Sequence, residues 1–502
     1  MKQIAAVVTL FVCSLAGYGQ SASSVLKQAE KAMGGSSLKR VDSITKTGTI
    51  TRVGDGVRGK YLLQSSKPNL LNISFDLGGF EIESGYNGRS GWRRDSREGV
   101  QTLIGRESNS MQAKAAFRNW LWLNAKNDKA KITYGGSADV NGHKTNVVLY
   151  TTPKGLSIKI YVDAQNGLVL RDEMPASDGV EICDHSDYRD VDGAKLAFQD
   201  RVTIGSDTYE IKLDEVKVNT QIARSEFDYP LDNKAPLPDT TALLRELQAN
   251  EDRLDSILDN YSYTQDSISR EIDKYGHLQD TESETVQMSF YKGYRIHRTI
   301  AKNGKPLSTD DQVKEDKDVQ KQVDEIEKRI VRNESKSAKG EPEDDNNRRV
   351  SVAELLRASR LINPRRERFG GRDCVVFDFE PNPGFDMKNA KTALKFFGKT
   401  AGVMWIDEKD KQVARVEAVL YDSYSIGGGV LAKINKGAAF TLEKERFNDE
   451  IWLPSYSEIN LSVRVLLVKG LSVNQVIRSH DYRRFETEVK DAKVGDDKNP
   501  RA

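Results

Sequence analysis

Cys183, His185 and Asp187 alternate along one segment, VEICDHSDYR. In a strand, alternate residues point to the same side, so these three side chains are expected on one face. Thiol, imidazole and carboxylate are all zinc-ligand types. A zinc centre also needs further donors or an open position, with partners that orient the ligands, and no companion motif accompanies these three. The expectation is a strand with a partly wet face, and no metal. Nucleophilic chemistry finds less support. In NGRSGW, Asn87 to Trp92, the glycines are wrongly spaced for a nucleophile elbow. The chain contains neither a Walker loop nor a His-Glu-x-x-His motif. Its 5 histidines are scattered, and its carboxylates usually neighbour Lys or Arg, as on solvated faces. Gly427 to Gly429 read as a turn or bulge. No catalytic, cofactor or metal residue is assigned, and the protein is expected not to be an enzyme; a metal-dependent enzyme is the least favoured reading.

The residues best suited to a function are apolar. A helical period over Ser108 to Ala125 places Met111, Phe117, Trp120, Leu121 and Leu123 on the apolar side. Adjacent apolar positions from Trp120 to Leu123 cover more than one helical face, so one surface cannot bury them all. Further along, Met387, Leu394, Phe396 and Phe397 form a second set, with Val352, Leu355 and Leu356 on a helix expected over Val350 to Leu361. Such stripes are either plain core or the lid of an apolar ligand cavity. Met suits the second role because its unbranched chain adapts to irregular shapes.

The elements that must position these residues are mostly strands. With 502 residues, two or more domains are expected. Lys and Arg number 76 against 75 Asp and Glu, a balance that excludes a basic nucleic-acid binder. The start, MKQIAAVVTLFVCSLAGYGQS, runs from a charge through an apolar core to small residues, which predicts a cleaved secretory signal over 1–22 and a periplasmic location. Val12 before Cys13 fits a lipid-attachment site poorly. Cys183 and Cys374 remain after cleavage, too few for a disulfide framework and flanked like buried hydrophobes. No later segment is apolar enough to cross a bilayer as a helix. Alternating strands fill Val41 to Val100 and Lys131 to Val218, a Pro-rich connection follows at Phe227 to Asp239, and a helix over Thr240 to Leu258 restarts the pattern. The organisation read is a first domain over 23–232, a second over 240–487 with a charged insert at 310–349, and a mobile tail over 488–502. The insert divides into a charged helix to about Arg332 and a polar stretch, NESKSAKGEPEDDNNRR, expected to be disordered.

The two halves share motifs. YVDAQNGLVLRDE (Tyr161 to Glu173) and WIDEKDKQVARVE (Trp405 to Glu417) both place an Arg eight residues after an Asp and a Glu two further on. VDSITKTG and LDNYSYTQ each follow a helix, and VDGAKLAF and NDEIWLPS each follow the hairpin. The shared order points to a duplicated domain. GYNGRSGWRRD (Gly85 to Asp95), the hairpin, and SDYRDVDGAKLAF then resemble the turn, hairpin and strand start of the outer-membrane lipoprotein-sorting, LolA/LolB-like family, here in two tandem copies. The resemblance implies an α+β fold: two tandem antiparallel β half-barrels, each with helices covering the concave face and room for an acyl chain. It implies an exported binder of lipid or lipoprotein acyl chains, a carrier or envelope-assembly factor without catalysis or cofactor. The alternative is an envelope scaffold or sensor that binds a protein partner. On either reading the helix residues above become lid candidates.

Overall fold

The computed structural model describes residues 21–96, 99–124, 129–176, 179–230, 237–258, 260–273, 278–292, 294–337, 356, 358–386, 392–426, 432–447, 451–465 and 471–484. Residues 1–20 of the expected signal segment, Cys13 among them, and Val352, Leu355, Met387, Gly427 to Gly429 and the 488–502 tail lie outside them.

Alternating sequences with glycine-punctuated turns build two unclosed antiparallel sheets, each of thirteen strands among the described residues. In the first, strand Ser43–Arg52 is central. It pairs on one side with Arg58–Ser66 and on the other with the last strand of the copy, Asp207–Val218. Later strands run outward in order to one edge at Gly99–Thr102; the strands before the last run outward to the other edge at Lys131–Val140. The second sheet repeats this plan. Tyr261–Ile272 pairs with Leu278–Tyr291 and with the last strand, Leu471–Arg484, and the edges are Lys305–Pro306 and Ser359–Phe369. An extra hairpin, Tyr424–Ile426 with Ala432–Ile434, interrupts the second copy only.

The repeated hairpin occupies the same place in both sheets, and its Asp and Arg do the same work in each. Asp163 and Asp407 are each 1 % exposed. Asp163 Oδ1 accepts from Gln165 N at 2.7 Å and Asn166 N at 3.1 Å. Asp407 Oδ1 accepts from Lys409 N at 3.1 Å and Asp410 N at 2.6 Å. The turn needs a left-handed residue next, supplied by Gly167 (φ 78°) in one copy and Lys411 (φ 51°) in the other. Arg171 then pairs across the strand with Asp184, and Arg415 with Glu443 at the matching register.

Helices cover one face of each sheet. Val25, Leu26 and Ala29 of helix Ala22–Ala32 enter the first core, and Leu243 and Leu247 of helix Thr240–Leu258 enter the core formed by Val375, Phe377, Phe379, Met404 and Ile406. The charged helix is longer than the sequence suggested. It spans Thr309–Ser337 and so takes in the start of the stretch expected to be disordered. It lies by strand Tyr294–Lys302, whose outer edge is paired only at its end. Gln322 Oε1 accepts from His297 N at 3.1 Å, Gln322 Nε2 donates to His297 O at 2.8 Å, and Glu315 Oε2 accepts from Thr299 N at 3.1 Å. Polar side chains thus satisfy an exposed sheet edge, which is why the helix carries only a thin apolar stripe with Ile326 buried. The helix expected over Val350 to Leu361 is corrected: strand Ser359–Phe369 already occupies its end.

The helix expected over Ser108 to Ala125 also differs. It runs Gly105–Arg118 and stops, and a 3-10 turn follows over Leu121–Asn124. Asn119 Nδ2 donates to Ala115 O and Leu70 O, both at 2.9 Å, and Trp120 takes φ 56°. The kink is how four adjacent apolar residues find different surfaces.

Candidate functional site

The two copies meet through the turn Asn87 to Ser90. Asn87 Oδ1 accepts from Arg89 N and Ser90 N and so shapes the turn. Its Nδ2 donates to Asp378 Oδ2 of the second copy at 3.0 Å, and Ser90 Oγ donates to Asp378 Oδ1 at 3.1 Å. Asn363 Nδ2 and Arg365 Nη1 complete the shell of this fully buried carboxylate at 2.9 and 3.0 Å. Arg365, 1 % exposed, also donates to Thr102 Oγ1 of the first copy's edge strand and lies 4.2 Å from the Tyr229 ring centroid. Arg89 pairs with Glu380, and Gly105 N donates to Glu417 Oε1 at 2.9 Å. Every buried charge in this seam has a partner from its own or the other copy, as burial requires.

Beside the seam a cavity of about 680 Å³ opens between the copies. Its lining is mostly apolar. Leu70, Tyr86, Ala113, Ala116, Leu121 and Tyr150 come from the first copy, and Pro381, Pro383, Ala401, Val419, Leu420 and Tyr421 from the second. Arg89, Lys154, Arg224, Lys436 and the carboxylate of Glu380 also border it. The space between the first sheet and its own helix is much smaller, about 60 Å³, and is lined by Phe117, Trp120, Trp122, Met33, Leu63 and the polar His185 and Arg118, among others. Phe117 and Trp122 stack with centroids 5.9 Å apart and fill that interior. A third, open groove of about 660 Å³ is bordered by Leu62, Phe75 and Ile82 together with Lys60, Asp76, Glu81, Glu83, Arg94 and Asp214, a mixed lining with far more charge than that of the cavity between the copies.

The lid candidates therefore disperse. Leu121 lines the cavity between the copies; Phe117 and Trp120 line the small interior space. Met111 and Leu123 are partly buried against the first core. In the second copy Leu394 is buried, Phe397 packs edge-on to Phe396 and Phe440, and Leu356 borders the second core; Met387 and Leu355 lie outside the described residues. Sequence reasoning missed the small residues Ala113, Ala116 and Ala401, whose missing bulk makes the cavity. It also missed the second sheet as its opposite wall. The periodicity marked a helix that borders this cavity, but not which of its faces looks outward.

Cys183 and His185 do share a face, but Asp187 does not join them. The pairing with strand Ala194–Ile204 skips Asp187 without a change of register, Asp187 takes φ 52°, and its carboxylate pairs with Arg189 at the surface. A single left-handed residue interrupts the extended geometry on which the expectation rested. Asp172 and Asp200, on the flanking strands, take its place. His185 Nε2 lies 2.7 Å from Asp172 Oδ2 and Nδ1 lies 2.7 Å from Asp200 Oδ1. Arg118 Nη1 reaches Asp172 at 3.1 Å from the covering helix, and Lys114 pairs with Glu181. Asp172, Cys183 and His185 present metal-ligand atoms within 4.8 Å of one another. Both ring nitrogens of His185 are engaged by carboxylates, so a metal would have to displace those contacts. Burial opposes charge on His185, but Cys183 and the two aspartates outweigh it and hold the imidazolium well above its usual range. Burial pushes the Cys183 thiol up, so it stays protonated and the aspartates dominate. Burial likewise opposes the charges on Asp172 and Asp200, yet Arg118 and His185 hold both carboxyls below their usual range. The cluster ties the helix to the sheet.

No family model matches the chain, and no curated protein matches it. Solved structures do. LolA-superfamily structures are among them. A LolA superfamily protein from Nitrosomonas europaea aligns at 14 % identity over 42 % of this chain and 98 % of its own, with a TM-score of 0.29. A DUF1329 family protein from Desulfovibrio piger aligns at 16 % identity over 41 % of this chain and 97 % of its own, with a TM-score of 0.31. The Pseudomonas aeruginosa MucA/MucB complex aligns over 92 % of this chain and 98 % of its own at 8 % identity, with a TM-score of 0.17. Among the described residues no helix is long and apolar enough to cross a membrane.

Proposed function

We propose that the protein binds an acyl chain of a lipid or lipoprotein, non-covalently, in the cavity between its two half-barrels. It acts as an exported, periplasmic carrier or envelope-assembly factor and performs no chemistry. One observation carries this reading: an apolar cavity of about 680 Å³ with walls from both copies. That volume falls within the roughly 300–1,000 Å³ of small-molecule sites, which are commonly apolar with a few polar groups. An empty apolar cavity of this size would be costly to keep, because its lining forfeits dispersion contacts that a hydrocarbon would restore. The charged, amino-terminal order of the first 22 residues supports export.

Native mass spectrometry of the protein isolated from periplasm tests the reading. A mass increment that extracts into organic solvent as a lipid is expected. Protein that emerges lipid-free and takes up no acyl compound when offered one contradicts it, and a co-isolated polypeptide in its place supports the scaffold reading.

A further inference from the structure

The polar members of the cavity lining are not neutral as a set. Among the described residues, four cations border the space, Arg89, Lys154, Arg224 and Lys436, against one carboxylate, Glu380. That carboxylate is already shared, since it pairs with Arg360 as well as Arg89. Two of the cations have no ion-pair partner among the described residues. Lys154 Nζ donates to the neutral Asn109 amide oxygen at 2.7 Å, and Arg224 Nη2 donates to the Asn87 backbone carbonyl at 2.6 Å. Burial pushes the Lys154 ammonium below its usual range, with Glu417 and Glu458 acting the other way from beyond contact distance. Arg89 is likewise lowered, by burial and then by the repulsion of Arg224. Like charges gathered at an apolar space are unfavourable without an anion to relieve them.

We propose that the occupant of this cavity is an amphiphile ending in an anion, a carboxylate or a phosphate, and that Lys154 and Arg224 recognise that end while the apolar walls hold the chain. The inference rests on the acyl-binding reading above and adds the chemistry of the head. An ammonium in a partly desolvated site makes charge-assisted bonds about twice as strong as neutral ones, and a guanidinium matches either anion with a planar pair of donors. A neutral alcohol of the same chain length would fill the same apolar space but offer no charge to the half-buried Lys154 or the exposed Arg224.

The test uses the full mature chain, the uncharged dye Nile red as reporter, and three competitors with one chain length: palmitate, hexadecyl phosphate and hexadecanol. Both anions are expected to displace the dye at concentrations at least about tenfold lower than hexadecanol. The Lys154→Gln, Arg224→Gln double variant should bring the anions to within about twofold of hexadecanol while leaving hexadecanol unchanged, and Lys154→Arg should keep the preference. Palmitate displacing best assigns a fatty-acid-like carboxylate, and hexadecyl phosphate displacing best assigns a phospholipid-like head; both outcomes support the proposal. Equal displacement by all three, or an undiminished preference in the double variant, overturns the anionic head and leaves the acyl cavity standing. Failure of Nile red and of every competitor to bind overturns both.

Discussion

At the scale of single residues, Asp378 concentrates the most consequence. Four donors from two copies converge on one buried carboxylate. Removing it leaves the buried Arg365 with Glu367, 2.9 Å away, as its ion-pair partner and deprives two amides and the Ser90 hydroxyl of their acceptor. Asp378→Ala is expected to cost about 3 kcal/mol or more, read by chemical denaturation, because four buried donors lose one acceptor and Arg365 keeps only Glu367 as a counter-charge. A loss below about 1 kcal/mol, typical of an exposed pair, would contradict this account of the seam. His185 supplies a pH prediction. Its folded-state pKa is raised, so its contribution is fully present below about pH 6.5 and is lost as pH rises through the higher folded value. Asp172 and Asp200 are depressed, so theirs is present above about pH 4 and is lost as pH falls through the lower folded values. The cluster should therefore stabilise most from about pH 4 to about pH 6.5 and fade towards both extremes. In His185→Gln the alkaline loss should shrink; an unchanged alkaline limb in urea titrations would count against the cluster. Asp163 and Asp407 were legible from sequence because an Asp before a polar turn has a local job, bonding its own backbone. Asp187 was misread because strand alternation is also local, and one left-handed residue interrupts it.

At the scale of elements, the stop at Asn119 and Trp120 decides the site. It lets Trp122 and Phe117 fill the first half-barrel while Leu121 and the alanine face look towards the second copy. A continuous helical period hides this, although Asn119 was a usable stop signal. The helix Thr309–Ser337 shows the converse. Its polar composition suggested little burial, yet its polar side chains serve as a substitute strand edge. Gln322→Ala should leave the fold intact, cost about 1–2 kcal/mol, and speed hydrogen exchange at the His297 amide. Unchanged exchange there would show that the helix does not cover the edge.

At the scale of the whole molecule, duplication explains the repeated hairpin, and divergence explains why the copies differ. Glu173 in the first hairpin bonds Tyr161 and Lys159 within its own sheet, whereas Glu417 reaches across to Gly105 of the other copy. Antiparallel meanders and the duplication could be read from periodicity and motif order, and the covering helices were implied by the family resemblance; the pairing of each copy's first strand with its last was not foreseen. The cavity between the copies could not, because it depends on how two surfaces meet and on alanines that leave no pattern. The first copy expressed alone should melt lower than within the full chain, since Asn87, Ser90 and Thr102 lose their partners; equal melting temperatures would show that the seam is not structural. The central claim is that the ligand lies between the copies and not inside the first half-barrel. Nile red titration of Ala401→Trp, which fills the cavity from the second sheet, against Trp120→Ala, which changes only the interior space, tests it most directly. The account predicts at least about tenfold weaker binding for Ala401→Trp and binding within about twofold of the parent for Trp120→Ala. Unchanged binding by Ala401→Trp together with loss in Trp120→Ala would place the ligand in the first half-barrel and contradict it.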